Sequence, residues 1–408
     1  MTRAIGVGLV AVLVLLLAPA VLAESAVEMR EVVKLEEVDI GLEGASISPD
    51  GEIVIAYGAE SSIYRIESLT PGNNSDLYWD GGEKLLDADF HPVGQTALIV
   101  GEGGVVLRYI RTNNSLESAG GEVYFGKTEL RAISWNGDGS WAYIGGEMGW
   151  MWRARGIEGG GMEVYPIEGR GTSDINGISC LSGVNICVIS TSVDGIGVID
   201  ADHELHWVGG TGYPWVDDVC PSGSGDACVS ISSDRNIAIV SINPFDVSSS
   251  EVSIVQLQDI EGQFNGIEVQ SDGRSLISMV PFAIIEHDLG GRLSFPWLEN
   301  PDAVDFSPSI AGERIVSTWS TGENTGWLIT GPGNIVEFGP TGEDSSNGLL
   351  GIWIGVVVLG GAILLVASLI VSSSPGLSRW LAIKIGSDEE RGHAQRELRR
   401  QGRRKKRA

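Results

Sequence analysis

Short runs of alternating apolar and polar residues recur along most of the chain. Examples are Ile53-Val-Ile-Ala-Tyr57, Ala97-Leu-Ile-Val-Gly101 and Ser275-Leu-Ile-Ser-Met279. Each is followed within about ten residues by a second run, such as Val105-Val-Leu-Arg-Tyr109 or Gly195-Ile-Gly-Val-Ile199. A period of two with one apolar face predicts half-buried β-strands. Ahead of these runs stands a recurring segment with an apolar anchor and then a turn. It reads Gly44-Ala-Ser-Ile47-Ser-Pro-Asp-Gly51, Asp87-Ala-Asp-Phe90-His-Pro-Val-Gly94 and Ala132-Ile-Ser-Trp135-Asn-Gly-Asp-Gly139. It continues as Gly177-Ile-Ser-Cys180, Asp217-Asp-Val-Cys220, Gly266-Ile-Glu-Val269 and Ala303-Val-Asp-Phe306. The anchors are spaced 43, 45, 45, 40, 49 and 37 residues apart.

A strand-rich period of about 40–45 residues predicts a β-propeller with one four-stranded blade per repeat. Seven anchors predict seven blades. Five of the seven residues three before the anchor are Gly or Ala (Gly44, Ala132, Gly177, Gly266, Ala303), as crowding of inner strands around one axis requires. Asp87 and Asp217 are the two exceptions. The Pro-Asp-Gly and Ser-Asp-Gly turns supply positive φ for tight connections. The segment 31–38 is expected to close the ring as the outer strand of the last blade; Ile335-Val-Glu-Phe338 is the other candidate for that place.

Composition agrees with an all-β body. Gly is 57 of 408 residues and Trp 12, against a usual Gly share of about 7 %. The formal charge is −27, from 27 basic and 54 acidic residues. It is unevenly distributed. Residues 1–23 carry one charge, Arg3, before an apolar run that ends in Val21-Leu22-Ala23, the layout of a secretory signal peptide. Residues 349–371, from Leu349 to Val371, contain no ionisable side chain. As a helix they would be about 34 Å long, enough to span a bilayer. The following 372–408 carries eleven basic and four acidic residues, net +7, which leaves −35 on 24–371. Under the positive-inside rule the basic tail is cytoplasmic and the acidic body extracytoplasmic.

The expected organisation is a signal peptide (1–23), a propeller (24–340), a short linker (341–348), one transmembrane helix (349–371) and a basic cytoplasmic tail (372–408). The protein is then a single-pass cell-membrane protein. Gly351 and Gly355 form one G-x-x-x-G, a pattern that would let two such helices approach and self-associate. Asn73-Asn-Ser75 and Asn113-Asn-Ser115 contain N-glycosylation sequons in the exported part.

All four cysteines lie in the acidic body. Cys180 and Cys187 flank one Ser-Gly turn, and Cys220 and Cys228 flank another, so each pair is expected to form a disulfide across one hairpin. The absence of C-x-x-C spacing argues against a thiolate metal site.

The Ser-Pro-Asp-Gly turn, the period near 43 and the Phe90-His-Pro-Val-Gly94 variant resemble WD40/YVTN-type propeller repeats over roughly 31–340. Gly-His and Trp-Asp dipeptides of true WD40 repeats are missing at blade ends. The segment 97–108 is similar to blades of sialidase-like and Ycf-forty-eight-type propellers. Ser134-Trp-Asn-Gly-Asp-Gly-Ser-Trp141 approaches the sialidase Asp-box, with Asp138 where that pattern has Gly. The resemblance implies a binding platform, and fold alone implies no activity.

No catalytic constellation stands out. There is no G-x-S-x-G elbow, no H-E-x-x-H and no calcium loop of the D-x-[DN]-x-[DN]-G kind. Asp202-His203-Glu204-Leu205-His206 holds metal-ligand types, but on a strand or turn its histidines are expected to diverge. No cofactor, resident metal or nucleic-acid partner is expected. Arg65, Arg108 and Arg153 recur 43 and 45 residues apart, in register with the anchors. They are the candidate contact row for a protein, peptide or glycan. The reading is a non-enzymatic, membrane-anchored binding module at the cell surface. The alternatives are an assembly or quality-control factor for membrane proteins, and a sialidase- or lyase-like propeller enzyme.

Overall fold

The computed structural model describes residues 25–341 except 121, 158–160, 223–224, 259, 271–272 and 291, together with 361 and 374–405 except 385. Two compact units divide the chain at 341/342. The predicted signal peptide and, apart from Gly361, the predicted transmembrane segment lie outside the described residues. Among the described residues no helix is long and apolar enough to cross a membrane.

The first unit is a seven-bladed β-propeller: seven four-stranded antiparallel sheets, each made of strands consecutive in sequence except the last. The first strands of successive sheets lie against one another around the ring and form its inner wall. They are Leu42–Ile47, Leu85–Phe90, Leu130–Trp135, Ile175–Cys180, Trp215–Val219, Gln263–Val269 and Ile315–Gly322, which define blades 1 to 7. The seventh sheet is completed by Val27–Lys34, paired antiparallel with Asn334–Pro340. The amino-terminal segment is therefore the closing strand, four residues earlier than expected, and 335–338 belongs to the third strand. Ser25 and Ala26 extend the closure: Ala26 N–H donates to Trp297 O at 3.0 Å and Glu299 N–H to Ser25 Oγ at 2.9 Å.

Alternation along each strand packs apolar residues on both faces of every sheet, so cores form in the seams between blades. Each seam has its own buried cluster, for instance Ile55, Tyr57, Leu85 and Ile99 between blades 1 and 2, or Val188, Ile196, Trp215 and Ala238 between blades 4 and 5. The turns behave as the sequence predicts, with φ of 72° at Gly51, 74° at Gly94 and 72° at Gly139. A Cβ at Gly58 would sit 2.3 Å from Gly41 O, and one at Gly101 2.2 Å from Lys84 O. Close approach of backbones explains much of the glycine content.

One anchor is corrected. Ala303 and Phe306 do not belong to an inner strand. Asn300–Asp305 is a short helix with Pro at its start, where the missing N–H costs nothing, and it buries Ala303 completely. The true inner strand, Ile315–Gly322, lacks the Pro-Asp-Gly turn and returns through Glu323 and Asn324.

The second unit contains two helices, Pro375–Lys384 and Asp388–Lys405. The second begins Asp388-Glu389-Glu390 and ends in basic residues, which complements its dipole. Arg379 donates to Gln401 at 2.7 Å and pairs with Glu397 at 3.6 Å.

Candidate functional site

Every inner strand carries a β-bulge near its start, between Leu42/Gly44, Leu85/Asp87, Leu130/Ala132, Ile175/Gly177, Trp215/Asp217, Phe264/Gly266 and Ile315/Ser317. The skipped residue is turned out of the ladder. All seven skipped residues, from Glu43 and Arg131 to Val316, line one axial channel of about 370 Å³. A second tier is formed by Ser46, Asp89, Ser134, Ser179, Val219 and Glu268.

Polar side chains cross from each inner strand to the next and hold the ring shut. Asp87 accepts from Ile133 N–H at 2.7 Å, and Asp89 from Trp135 N–H at 2.8 Å. Asn176 donates to Trp215 O at 2.7 Å, and Asp217 accepts from Ile267 N–H at 2.9 Å. Asn265 donates to Ile315 O at 3.0 Å, and Arg314 to Leu42 O at 2.8 Å. Between blades 1 and 2 the Tyr57 hydroxyl donates to Asp87 at 3.1 Å. The two aspartates that break the small-residue rule, Asp87 and Asp217, thus do one job in two seams. That exception was the only sequence signal for them.

Besides Glu43, which Lys84 and Arg314 pair, five carboxylates meet in the channel: Asp87, Asp89, Asp217, Asp218 and Glu268. Burial raises the pKa of each, to about 6 for Asp87, about 7 for Asp89 and Asp217, and about 8 for Glu268; Asp218 is also displaced upward. Mutual repulsion adds to this for Asp89, Asp217, Asp218 and Glu268, and backbone N–H donors to Asp87, Asp89 and Asp217 oppose it. The lining arginines are paired, Arg131 with Glu129 at 2.5 Å and Arg314 with Glu43 of the same lining at 2.9 Å. The lining holds no histidine among the described residues.

Arg65, Arg108 and Arg153 occupy equivalent third-strand places, opposite Ile55, Leu98 and Tyr143. Each has a different surrounding. Arg65 pairs with Glu67 at 3.4 Å and neighbours Tyr109. Arg108 reaches the next blade, donating to Gly161 O at 3.2 Å. Arg153 stacks over Trp141 and Tyr165, at 4.8 and 5.4 Å. Arg155, which the sequence pattern does not single out, lies 4.6 Å over the same Trp141 and pairs with Glu163 at 2.6 Å. Arg108 and Arg155 together line a groove of about 360 Å³ between blades 2 and 3, walled by His91, Trp135 and Met162.

The third and fourth strands of blade 4, and the turn that joins them, bring Asp200, Glu204 and His206 together, their ligand atoms all within 4.8 Å of one another. His203 instead turns to the Tyr143 hydroxyl at 2.7 Å, so the two histidines diverge, while Asp200 joins from outside the 202–206 cluster. Asp200 accepts from His206 at 2.8 Å and from its own loop at Asp202 and Glu204 N–H, an arrangement that also makes a stable turn without an ion. The expected disulfides are present, Cys180–Cys187 and Cys220–Cys228, each across the inner hairpin of its blade.

No protein-family model matches the chain, and no curated protein matches it. Similarity lies in the fold. A catalytically inactive variant of virginiamycin B lyase from Staphylococcus aureus with quinupristin aligns at TM-score 0.60 and 14 % identity, covering 76 % of this chain and 99 % of that one. The β-propeller domain of Cps50 (Swd1) from Myceliophteria thermophila aligns at TM-score 0.60 and 10 % identity, covering 77 % and 100 %. A selenomethionine-substituted virginiamycin B lyase from Staphylococcus aureus aligns at 0.57 and 13 %, covering 76 % and 99 %. A lyase and a Swd1 propeller align equally well, so the fold alone selects no activity.

Proposed function

We propose that this chain is a non-enzymatic binding module whose propeller presents an arginine-and-aromatic groove to an acidic segment of a partner protein. The observation that carries this reading is the groove between blades 2 and 3. Two guanidinium groups, Arg108 and Arg155, converge there in a chain of net charge −27. Arg155 also stacks on Trp141, which it shares with Arg153 on the side of blade 3 that faces blade 4. Arg, Trp and Tyr dominate the energetic centres of protein interfaces. Among the described residues Arg108 and Arg153 form no ion pair, so both are open to a partner's carboxylate. Arg65, one seam away, extends the same row.

The proposed setting is extracytoplasmic, with residues 1–23 directing export and 349–371 anchoring the chain. Two disulfides and the charge contrast between body and tail support it. A short linker would hold the disk near the bilayer, which also suits an assembly or quality-control role toward membrane proteins.

Mild cross-linking in the native membrane, followed by quantitation of co-purified proteins, tests the reading. Arg108→Ala/Arg153→Ala is expected to lower capture of a specific partner by about tenfold, the scale of losing a charge-assisted contact, and Arg65→Ala by less. Equal recovery from wild type and the double variant would refute it.

A further inference from the structure

Seam 4–5 differs from its neighbours. In seams 2–3 and 5–6 an aspartate on the earlier blade reaches forward to the backbone N–H of the later one, Asp87 to Ile133 and Asp217 to Ile267. The equivalent residue on blade 4 is Gly177, which has nothing to offer. The space is entered from the other side by Asp218, whose carboxylate points back. A Cβ built on Gly177 would lie 2.9 Å from Asp218 Oδ2 and 2.7 Å from Ser190 Oγ. Asp218 stands where other blades place Ala45, Ala88, Ile133, Ile178 and Ile267, in apolar packing.

This carboxylate is 4 % exposed, and neither oxygen has a hydrogen-bond partner of good geometry in the protein. The Ser190 and Ser230 hydroxyls beside it, both fully buried, are also unmatched. An unpaired buried carboxylate is among the costliest groups a fold can hold. Asp217 is adjacent in sequence, and Asp87 and Glu268 face the same channel, so the local field is strongly negative. Protonation removes the charge and lets Asp218 share a hydrogen bond with Ser190, and is the competing outcome that the test below separates. A bound cation instead neutralises the charge and gives the oxygens a partner.

We infer that the seam between blades 4 and 5 binds a divalent cation of the calcium class, with Asp218 as its direct carboxylate ligand and the Ser190 hydroxyl beside it. The donors are all oxygen, which favours a hard ion. They are also unevenly placed, which suits calcium better than magnesium with its strict octahedron. Among the described residues the only trio of acidic, His or Cys ligand atoms within 4.8 Å of one another is Asp200, Glu204 and His206. The ion at Asp218 therefore takes one carboxylate directly and completes its shell with hydroxyl, backbone and water oxygens. Asp217 and Asp87 bear on the ion through the field they already exert on Asp218. One direct carboxylate implies modest affinity, about 0.1–1 mM.

The test uses the full chain in mild detergent, stripped with a chelator, and calcium chloride as the probe, read by calorimetry and thermal unfolding at neutral pH. One saturable site and a calcium-dependent rise in Tm are expected. Asp218→Asn should weaken binding by at least about tenfold, and Ser190→Ala by several-fold. Gly177→Ala, whose methyl fills the space, should abolish it. His206→Ala, which dismantles the blade 4 hairpin cluster, should leave the affinity within about twofold, because its ligands are separate. If Asp218→Asn fails to fold, Ser190→Ala and Gly177→Ala carry the decision. The inference is overturned by no saturable binding up to about 10 mM calcium, by wild-type affinity in the Ser190 and Gly177 variants, or by loss of binding on His206→Ala.

Discussion

Replacing Asp87 by Asn should change the sign of its effect on stability with pH. Asp87 accepts from Ile133 N–H, Ala88 N–H and the Tyr57 hydroxyl, yet burial still raises its pKa from 3.8 to about 6. For an acid displaced upward, the folded state holds its proton more tightly than the unfolded chain. Below pH 3.8 both states are protonated and nothing is lost. Between 3.8 and about 6 stability falls as pH rises, by about 1.4 kcal/mol per unit. Above that window the loss is complete, about 3 kcal/mol. Asn copies the protonated acid in shape and charge, but its Nδ2 cannot accept and faces the N–H of Ile133 or Ala88, one of which loses its partner. At about pH 4 the variant should fall below wild type by about 2 kcal/mol, the scale of one buried donor left unmatched. At about pH 8, where the wild-type loss is complete, it should be the more stable protein by about 1 kcal/mol, about 1–2 °C in Tm. Its removal also relieves the repulsion that Asp87 exerts on Asp217 and Asp89. Thermal unfolding of both proteins across that range, with chelator present, gives the difference curve. A constant offset throughout, or a variant least stable at the alkaline end, would refute the argument that the charge of Asp87 is held at a cost.

Two further outcomes follow from the ring. Reduction of Cys180–Cys187, or Cys180→Ser/Cys187→Ser, frees a loop closed over a sequence separation of 7 and should cost about 2.5 kcal/mol by chain entropy, read as a lower Tm under reducing conditions. Removing residues 25–34 deletes the strand that pairs with Asn334–Pro340 and uncovers Phe338 and Trp297. The ring should open there first, with accelerated amide exchange in 325–340 while blades 2 to 5 stay protected; uniform exchange throughout would contradict it.

The blade count was legible because strand alternation and turn residues repeat at nearly one period, and each repeat obeys the same local chemistry. The seventh anchor was misplaced because Ala303-Val-Asp-Phe306 copies the motif in composition, while Asn300-Pro301-Asp302 ahead of it starts a helical turn. A pattern of residue types does not show which of two copies pairs with a neighbour. The bulges were invisible for a related reason. A one-residue slip in pairing leaves no mark in composition, yet it decides that Glu43, Arg131 and Asn176 face the axis. Arg65, Arg108 and Arg153 fall in register as their spacing suggests, but the groove that separates Arg108 from Arg65 depends on how adjacent sheets pack.

A repeat architecture separates what the fold needs from what one site needs. Residues required for closure recur or are replaced by equivalents: Asp87, Asn176, Asp217, Asn265 and Arg314 differ in type, yet each bonds a backbone group of the next inner strand. Asp218 does not fit that series. It occupies a position that five other blades fill with Ala or Ile, it accepts from no backbone group of a neighbouring strand, and it sits one residue from a carboxylate already serving its seam. Packing would favour an apolar residue there, as it does elsewhere. A residue that lowers the stability of its own seam in isolation is the kind expected where a bound group restores the balance. If so, calcium should flatten the fall in wild-type stability as pH rises from acid to neutral, whereas Asp218→Asn should make that profile insensitive to the ion.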